Sequence, residues 1–486
     1  MDGSGRSRYG RQVATDTDAV VVGSGPNGLA AAVAIAMEGF SVTVLEAHQE
    51  IGGGTRTAEL TLPGVLHDVC SAVHPFGVAS PFLRTLPLAE HGLQWRWPEV
   101  DLTHPLDDGR TGVMVQSIDD TVAAMGSDGK AWRRTFGPVA TGFPDLARDV
   151  MAPIVHVPHH PVRLARFGLD ALLPASVLAR RWERPEVRGL FAGVAAHVIY
   201  PLGRPGSSAA GLLMMGAGHY GGWPVAAGGS RTITDAMAGL LRSLGGTIET
   251  GTPVRSLAQL PSSRVTLFDT GPQALAEIAG DALPARVRRA YTRYRHGPAA
   301  FKVDLAVDGG VPWTSDPSRR AGTVHLGGTF EEIAASERDV HAGRMPDQPF
   351  VLVAQQYLAD PSRSVGDVHP VWAYAHVPHG YTGDATDAIV GQIERFAPGV
   401  RDRIVGIHTQ GPAQIEAYNA NYVGGDIATG ANDPWQMLIR PRLAPDPYAT
   451  GIDGVFICSA ATPPGGGVHG MCGANAAHSA LEVLRT

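Results

Sequence analysis

The chain has 486 residues, enough for two or three domains at about 150 residues each, and its 44% apolar and 17% charged residues are globular rather than disordered in composition. Lys and Arg number 39 against 46 Asp and Glu, a net charge of −7, so no basic surplus exists to neutralise a phosphate backbone and nucleic acid is not an expected partner. The cysteines Cys70, Cys458 and Cys472 contain no C-x-x-C, which excludes a disulfide framework, an adjacent redox dithiol and a Cys-rich zinc site.

Residues 1–12 carry no apolar stretch and no run of 18 apolar residues follows, so the expected location is cytoplasmic. Ala19–Val22 reads as a short buried parallel strand, and Gly23–Gly28 as a glycine-rich turn. An Ala-rich helix follows over 29–38, stopped by Gly39, and a second strand over 41–45 ends at Glu46. Residues 145–190 show helical spacing with arginines between the apolar positions. The stretch 231–244 predicts an amphipathic helix, and 247–257 a strand. Phe301–Val307 and Phe350–Gln355 alternate as sheet strands, and 384–396 reads as a helix with Asp384 as its N-cap. The end repeats the opening grammar: a strand over 454–458, the turn PPGGGVHG, and a final helix over 474–484.

Gly23, Gly25 and Gly28 fit G-x-G-x-x-G between a strand and a helix. The glycines allow a tight turn, close backbone approach to a diphosphate and close helix–strand packing, and the helix aims free N–H groups at the phosphates. Glu46 closes the second strand, where a carboxylate accepts hydrogen bonds from ribose hydroxyls. A second glycine cluster, Gly52–Gly54 with Arg56, and the turn Pro464–Gly470 before the last helix are unnecessary for NAD. Two helix ends, one for phosphate and one for the anionic edge of a reduced ring, suit FAD.

The segment 20–57 resembles the FAD-binding start of the glutathione-reductase-like flavoproteins, and within them the phytoene-desaturase-like branch. GVFICSAATPPGGGVHG is similar to that branch's flavin-binding end, and YRHGPAAFKVDLAVDGGVPW to its phytoene-dehydrogenase-related subgroup. The resemblance implies Gly23, Ser24, Gly25, Pro26, Asn27 and Gly28 along the diphosphate, with Glu46 and Ala47 at the adenosine ribose. It further implies Gly53, Gly54 and Arg56 on the ribityl side, and the backbone of Val254, at a strand start, on adenine. Ser459, Gly467, Val468 and His469 would cradle the ring. The long hairpin usual after the adenine-contacting strand is trimmed here, no second G-x-G-x-x-G marks an NAD(P)H domain, and a disulfide reductase would need the missing dithiol.

Two segments are expected to face the ring, CSAVHPF (70–76) and PGGGVHGMCG (464–473). His469 is a candidate to stabilise reduced flavin or move a proton, and His74 a candidate acid or base; the alternative is that both hydrogen-bond backbone at glycine-rich turns. Cys472, placed just before the last helix, is either a thiol activated by the dipole or packing. His156, His159 and His160 sit among prolines with no carboxylate cluster nearby in sequence, so no metal is expected. Arg163–Arg184 is basic and Leu-rich; it reads as a solvated helix face, whereas in the carotenoid enzymes this region meets the membrane.

The sequence thus predicts an α/β protein, a Rossmann-type FAD-binding domain with an inserted α+β substrate domain of mixed sheet plus helices. The FAD-binding parts are expected at 15–85, 221–272 and 424–486, and the substrate parts at 86–220 and 273–423. The expected function is FAD-dependent desaturation or oxidation of an apolar, polyene-like or other small organic substrate, with oxygen or a quinone as diffusible acceptor and a peripheral membrane contact. Alternatives are amine oxidation, a reduced-flavin isomerase or saturase, and a non-catalytic FAD-stabilised binding protein.

Overall fold

The computed structural model describes residues 16–153 and 155–486; the first twelve residues, read above for a leader, lie outside them. In chain order the main strands are β1 (Ala19–Val22), β2 (Val42–Leu45), β3 (Val100–Pro105), β4 (Thr111–Met114), β5 (Thr247–Glu249) and β6 (Val265–Phe268). They continue as β7 (Ala299–Asp308), β8 (Ala321–Leu326), β9 (Val351–Ala354), β10 (Val368–Val377), β11 (Ile404–Gln410) and β12 (Val455–Ile457). The helices that shape the site are α1 (Pro26–Met37), α2 (Pro161–Ala171), α3 (Pro185–Ala195), α4 (Ser208–Gly221), α5 (Arg231–Ser243), α6 (Phe330–His341) and α7 (Met471–Leu484).

One sheet is parallel throughout, in the order β12-β6-β1-β2-β5. Its central strand reads AVVV and is buried along its whole length, as expected of a parallel strand covered on both faces. α1, α5 and α7 cover one side, with Leu29, Val33, Ile233, Met237, Ala477 and Leu481 in a common core. The second sheet has the order β11-β7-β10-β9-β8-β3-β4 and is antiparallel except for the β8–β3 pair. Alternate residues of its strands enter two cores, Val303, Val353 and Ala373 on one face and Leu352, Trp372 and Tyr374 on the other. This is the Rossmann-type α/β fold with an α+β insertion.

Several local expectations need correction. The strand expected over 247–257 stops at Glu249, because the following Gly251 has φ 65° and turns the chain. Val254 therefore lies in a loop past β5 and not at a strand start. The 384–396 helix runs Thr386–Phe396 with Ala385 as N-cap, while the Asp384 carboxylate accepts the Thr386 N–H at 2.8 Å. The final helix starts at Met471, after Gly470 in the left-handed region at φ 68°. Cys472 is thus inside α7, and burial pushes its thiol up to about 12, the opposite of dipole activation.

Candidate functional site

β1 ends at Gly23, whose N–H donates to the Leu45 carbonyl at 2.8 Å, and Gly25 caps α1 with Pro26 as its first residue. A Cβ on Gly28 would stand 2.1 Å from the Gly23 carbonyl oxygen, so no side chain fits there. Beyond β2, Glu46 Oε2 accepts the Ser24 N–H at 2.9 Å and the Ser24 hydroxyl at 2.5 Å. Its Oε1 accepts the His48 N–H at 2.8 Å. These bonds fix a buried carboxylate beside the turn. Arg56 donates to the Glu50 and Ile51 carbonyls, lies 3.7 Å from Glu46 and stacks over the Tyr418 ring. Tyr418 donates its hydroxyl to the Gly53 carbonyl at 2.5 Å, and a Cβ on Gly54 would fall 2.1 Å from the Tyr422 hydroxyl oxygen.

Sequence reasoning missed Asp269, which follows β6. Its Oδ2 accepts the Gly28 N–H at 2.9 Å and would lie 2.7 Å from a Cβ on Gly25. No local pattern announces it, since 241 residues separate it from Gly28. Burial pushes this carboxyl from 3.8 up to about 7; the Gly28 N–H opposes the shift, the Glu46 charge adds to it, and the Gly25 N–H opposes it.

At the other end of the site, α7 crosses α1 so closely that a Cβ on Gly473 would sit 1.8 Å from the Asn27 carbonyl oxygen. The crossing brings the turn before α7 level with the phosphate turn. Arg440, in the segment whose sequence resembles the stretch upstream of the family's flavin-binding end, is buried there. It donates to the Asn432 side chain at 2.9 Å and the Ala431 carbonyl at 3.3 Å, with one guanidinium nitrogen 2.7 Å from where a Gly465 Cβ would be. Its Nε has no partner among the described residues.

One cavity of about 1100 Å³ joins the two ends. Gly23, Ser24, Gly25, Pro26, Asn27, Glu46, Ala47, Gly53, Gly54, Arg56 and Val254 line it, together with Gly467, Val468 and Arg440. It exceeds the roughly 300–1,000 Å³ of ordinary small-ligand pockets, leaving room for a dinucleotide and a second molecule. An FAD fits this set: N–H groups at α1 for the diphosphate, Glu46 for a ribose, and a cationic, glycine-rich turn for the ring.

Gly28, expected along the diphosphate, does not line the cavity: its N–H is spent on Asp269 and it serves the tight packing of the turn. Two residues expected on the ring do not line it either. The Ser459 hydroxyl turns back to accept the Ala461 N–H, and His469 Nδ1 accepts the Met471 N–H at 3.0 Å, capping α7. Burial lowers His469 to about 4, so it is a neutral structural cap. His74 does line the cavity. The Ser230 hydroxyl donates to the Ser71 carbonyl, so it accepts from His74 Nε2 at 2.8 Å, which leaves Nδ1 as a lone pair with no partner among the described residues. Burial lowers His74 to about 4. Asp149 gathers His156, His159 and His160, but among the described residues no three metal-capable groups are arranged for an ion.

Away from the nucleotide end the cavity is lined by Leu164, Phe167, Leu213, Leu352, Trp372 and Tyr374, which the sequence pattern did not bring together. Behind Trp372 lies the buried pair Lys302–Asp304, with the ammonium 5.8 Å from the indole centroid.

The comparisons agree with this geometry. Residues 21–86 match the family model of the NAD(P)-binding Rossmann-like domain. The mouse pyridine nucleotide-disulfide oxidoreductase domain-containing protein 2 is 24% identical, covering 96% of this chain and 94% of its own. Hydroxyneurosporene desaturase of Rhodobacter capsulatus is 26% identical over 68% of this chain and 74% of its own. A solved structure of putrescine oxidase bound to putrescine superposes with a TM-score of 0.62 at 18% identity, over 97% of this chain and 99% of that one. The superposition shows that the chain shares the Rossmann-type fold of these proteins.

The position of Asp269 makes cofactor binding sensitive to pH. Among the described residues the titratable groups coupled to it are Glu46, Cys458 and Cys472, none of them a cation. Below about 7 the carboxyl keeps its proton; above, it becomes an anion against the diphosphate. FAD affinity is therefore expected to fall as pH rises through 7, by up to about tenfold per unit for a single proton. The raised value also makes apoprotein stability decline as pH rises from about 4 to about 7. Fluorescence titration of apoprotein with FAD between about pH 6 and pH 9 checks the linkage. Asp269→Asn should bind without the slope, and a flat wild-type profile would refute this role.

Proposed function

We propose that this chain is an FAD-dependent oxidoreductase that desaturates an apolar, polyene-like molecule. The carrying observation is the continuation of the cofactor cavity into a chamber walled by Leu164, Phe167, Leu213, Leu352 and Trp372, where burial of hydrocarbon is the available source of affinity. FAD supplies two-electron oxidation when bound, the electrons leaving to a diffusible acceptor such as oxygen or a quinone. The chain's own residues orient the substrate and exclude water. His74, held through Nε2 by Ser230 and weakly basic because of burial, serves as a hydrogen-bond acceptor at Nδ1 rather than as a strong base. Arg440 and the N–H groups of the turn 464–468 put positive potential where the reduced ring gains negative charge.

Amine oxidation is the second reading. It is favoured by Tyr418, Tyr422 and Trp372 on one side of the cavity, aromatic faces of the kind that attract cations, and by the likeness to putrescine oxidase. Anaerobic mixing of holoprotein with a carotenoid precursor or with a primary alkylamine separates the two. Bleaching of the flavin by the polyene and not by the amine is expected; the reverse pattern establishes amine oxidation. No bleaching by either sinks both and favours the binding-protein alternative.

The chamber opens beside α2. Leu164, Phe167 and Ala171 face the cavity, whereas Val162, Leu169 and Leu172 are 82%, 74% and 68% exposed. Leu172 and the 56% exposed Leu438 belong to both the lining and the surface. Arg134, Arg163, Arg166 and Arg181 line a second cavity against the same helix. Apolar tips with arginines behind them suit an anionic lipid surface, from which a lipid-soluble substrate would enter. Among the described residues no helix is long and apolar enough to cross a membrane, so the contact proposed is peripheral. Wild-type protein should sediment with vesicles containing phosphatidylglycerol, and Val162→Asp/Leu169→Asp should stay in the supernatant with its FAD retained. Equal partitioning of the two would contradict the contact.

A further inference from the structure

The floor of the chamber is the inner face of the seven-stranded sheet, and its register places polar atoms where an apolar substrate has no use for them. One cross-strand row runs Lys302, Tyr374, Leu352 and His325. The next runs Asp304, Trp372, Ala354 and Thr323. Thr323, Leu352, Trp372 and Tyr374 line the cavity. Across from them, after α3, His197 lines it too and meets His325 with the two Nε2 atoms 3.2 Å apart. α3 lies so near this floor that a Cβ on Gly193 would stand 2.6 Å from the His325 ring, which closes the chamber at this end.

Thr323 Oγ1 and Trp372 Nε1 are buried and without a hydrogen-bond partner among the described residues. They occupy one row, separated by Ala354, whose methyl leaves the floor low between them. Buried polar atoms in native proteins are nearly always paired, and leaving them unpaired is costly. An occupant that pairs them removes that cost.

We propose that this inner end is a subsite for an uncharged oxygen function, a hydroxyl or carbonyl, carried by an otherwise apolar substrate. The inference rests on the apolar-substrate reading above and sharpens it. The indole N–H can only donate, while the threonine hydroxyl donates or accepts; a substrate hydroxyl can pair with either, and a carbonyl oxygen accepts from either. Charged heads are disfavoured. Burial drives His197 to about 3 and His325 well below its ordinary value, so neither offers a cation to a carboxylate. The charge of Lys302 is met by Asp304, whose remaining neighbours are His67 and His408, so this pair leaves no free carboxylate for an ammonium at the inner end.

The test uses holoprotein and displacement of cavity-bound 1-aminoanthracene by 1-decanol and by n-decane. Burying a hydroxyl without a partner weakens binding, so a preference for the alcohol reports the subsite itself. Wild-type protein should favour 1-decanol by about tenfold. Thr323→Val, which keeps the shape and removes the hydroxyl, should erase most of that preference with n-decane affinity and FAD content unchanged; Trp372→Phe, which removes the N–H together with part of the apolar ring, should erase most of it while weakening both probes. Equal wild-type affinity for the two probes, or a preference that survives both substitutions, overturns the subsite while leaving an apolar substrate in place. Failure of both probes to displace the dye overturns the subsite and the apolar-substrate reading together.

Discussion

The contact on which the rest depends is the crossing of α1 and α7 near their amino ends. Gly473 lies against the Asn27 carbonyl and Gly470 against Ala30, at separations that no Cβ would allow. Helices packed through ordinary side chains keep axes 8–10 Å apart; glycine at the contact lets these two close further. The two helices begin at opposite ends of the chain, and each is preceded by a glycine-rich turn. Their contact converts two sequence-distant turns into two ends of one cavity.

Electrostatics then divides the cavity by function. Near α1 lie the carboxyls of Glu46 and Asp269, met by backbone N–H groups, the helix end and the Arg56 guanidinium. At the far turn the buried charge is Arg440. Between and beyond them the polar groups are neutral: burial holds His74, His197, His325 and His469 below their ordinary value, and Lys302 and Asp304 spend their charges on each other. A cavity of that kind favours negative charge gained at one end of the cofactor and discriminates against ionic groups at the substrate end.

The legible part of the site was the local part. The β1–α1–β2 unit declares itself within 30 residues because strand, glycine turn, helix and closing carboxylate are contiguous. The final turn was recognisable for the same reason, although the low helix propensity of glycine around Met471 and Cys472 hid the first turn of α7. Where contact depends on register between distant strands, the pattern is silent. Asp269 reaches Gly28 across 241 positions, and Thr323 shares a row with Trp372 only because β9 lies between their strands. His469 illustrates the converse: its neighbourhood suggested the ring, yet the left-handed Gly470 beside it directs the imidazole onto the start of α7.

The central claim is that one FAD spans from the amino end of α1 to the turn before α7. A crystal structure of the purified protein tests it most directly. The account predicts cofactor density with the diphosphate against Ser24–Asn27, a ribose on Glu46 and the ring system beside Gly465–Val468. Density placing the ring at α1, or separate ligands in the two places, would contradict it.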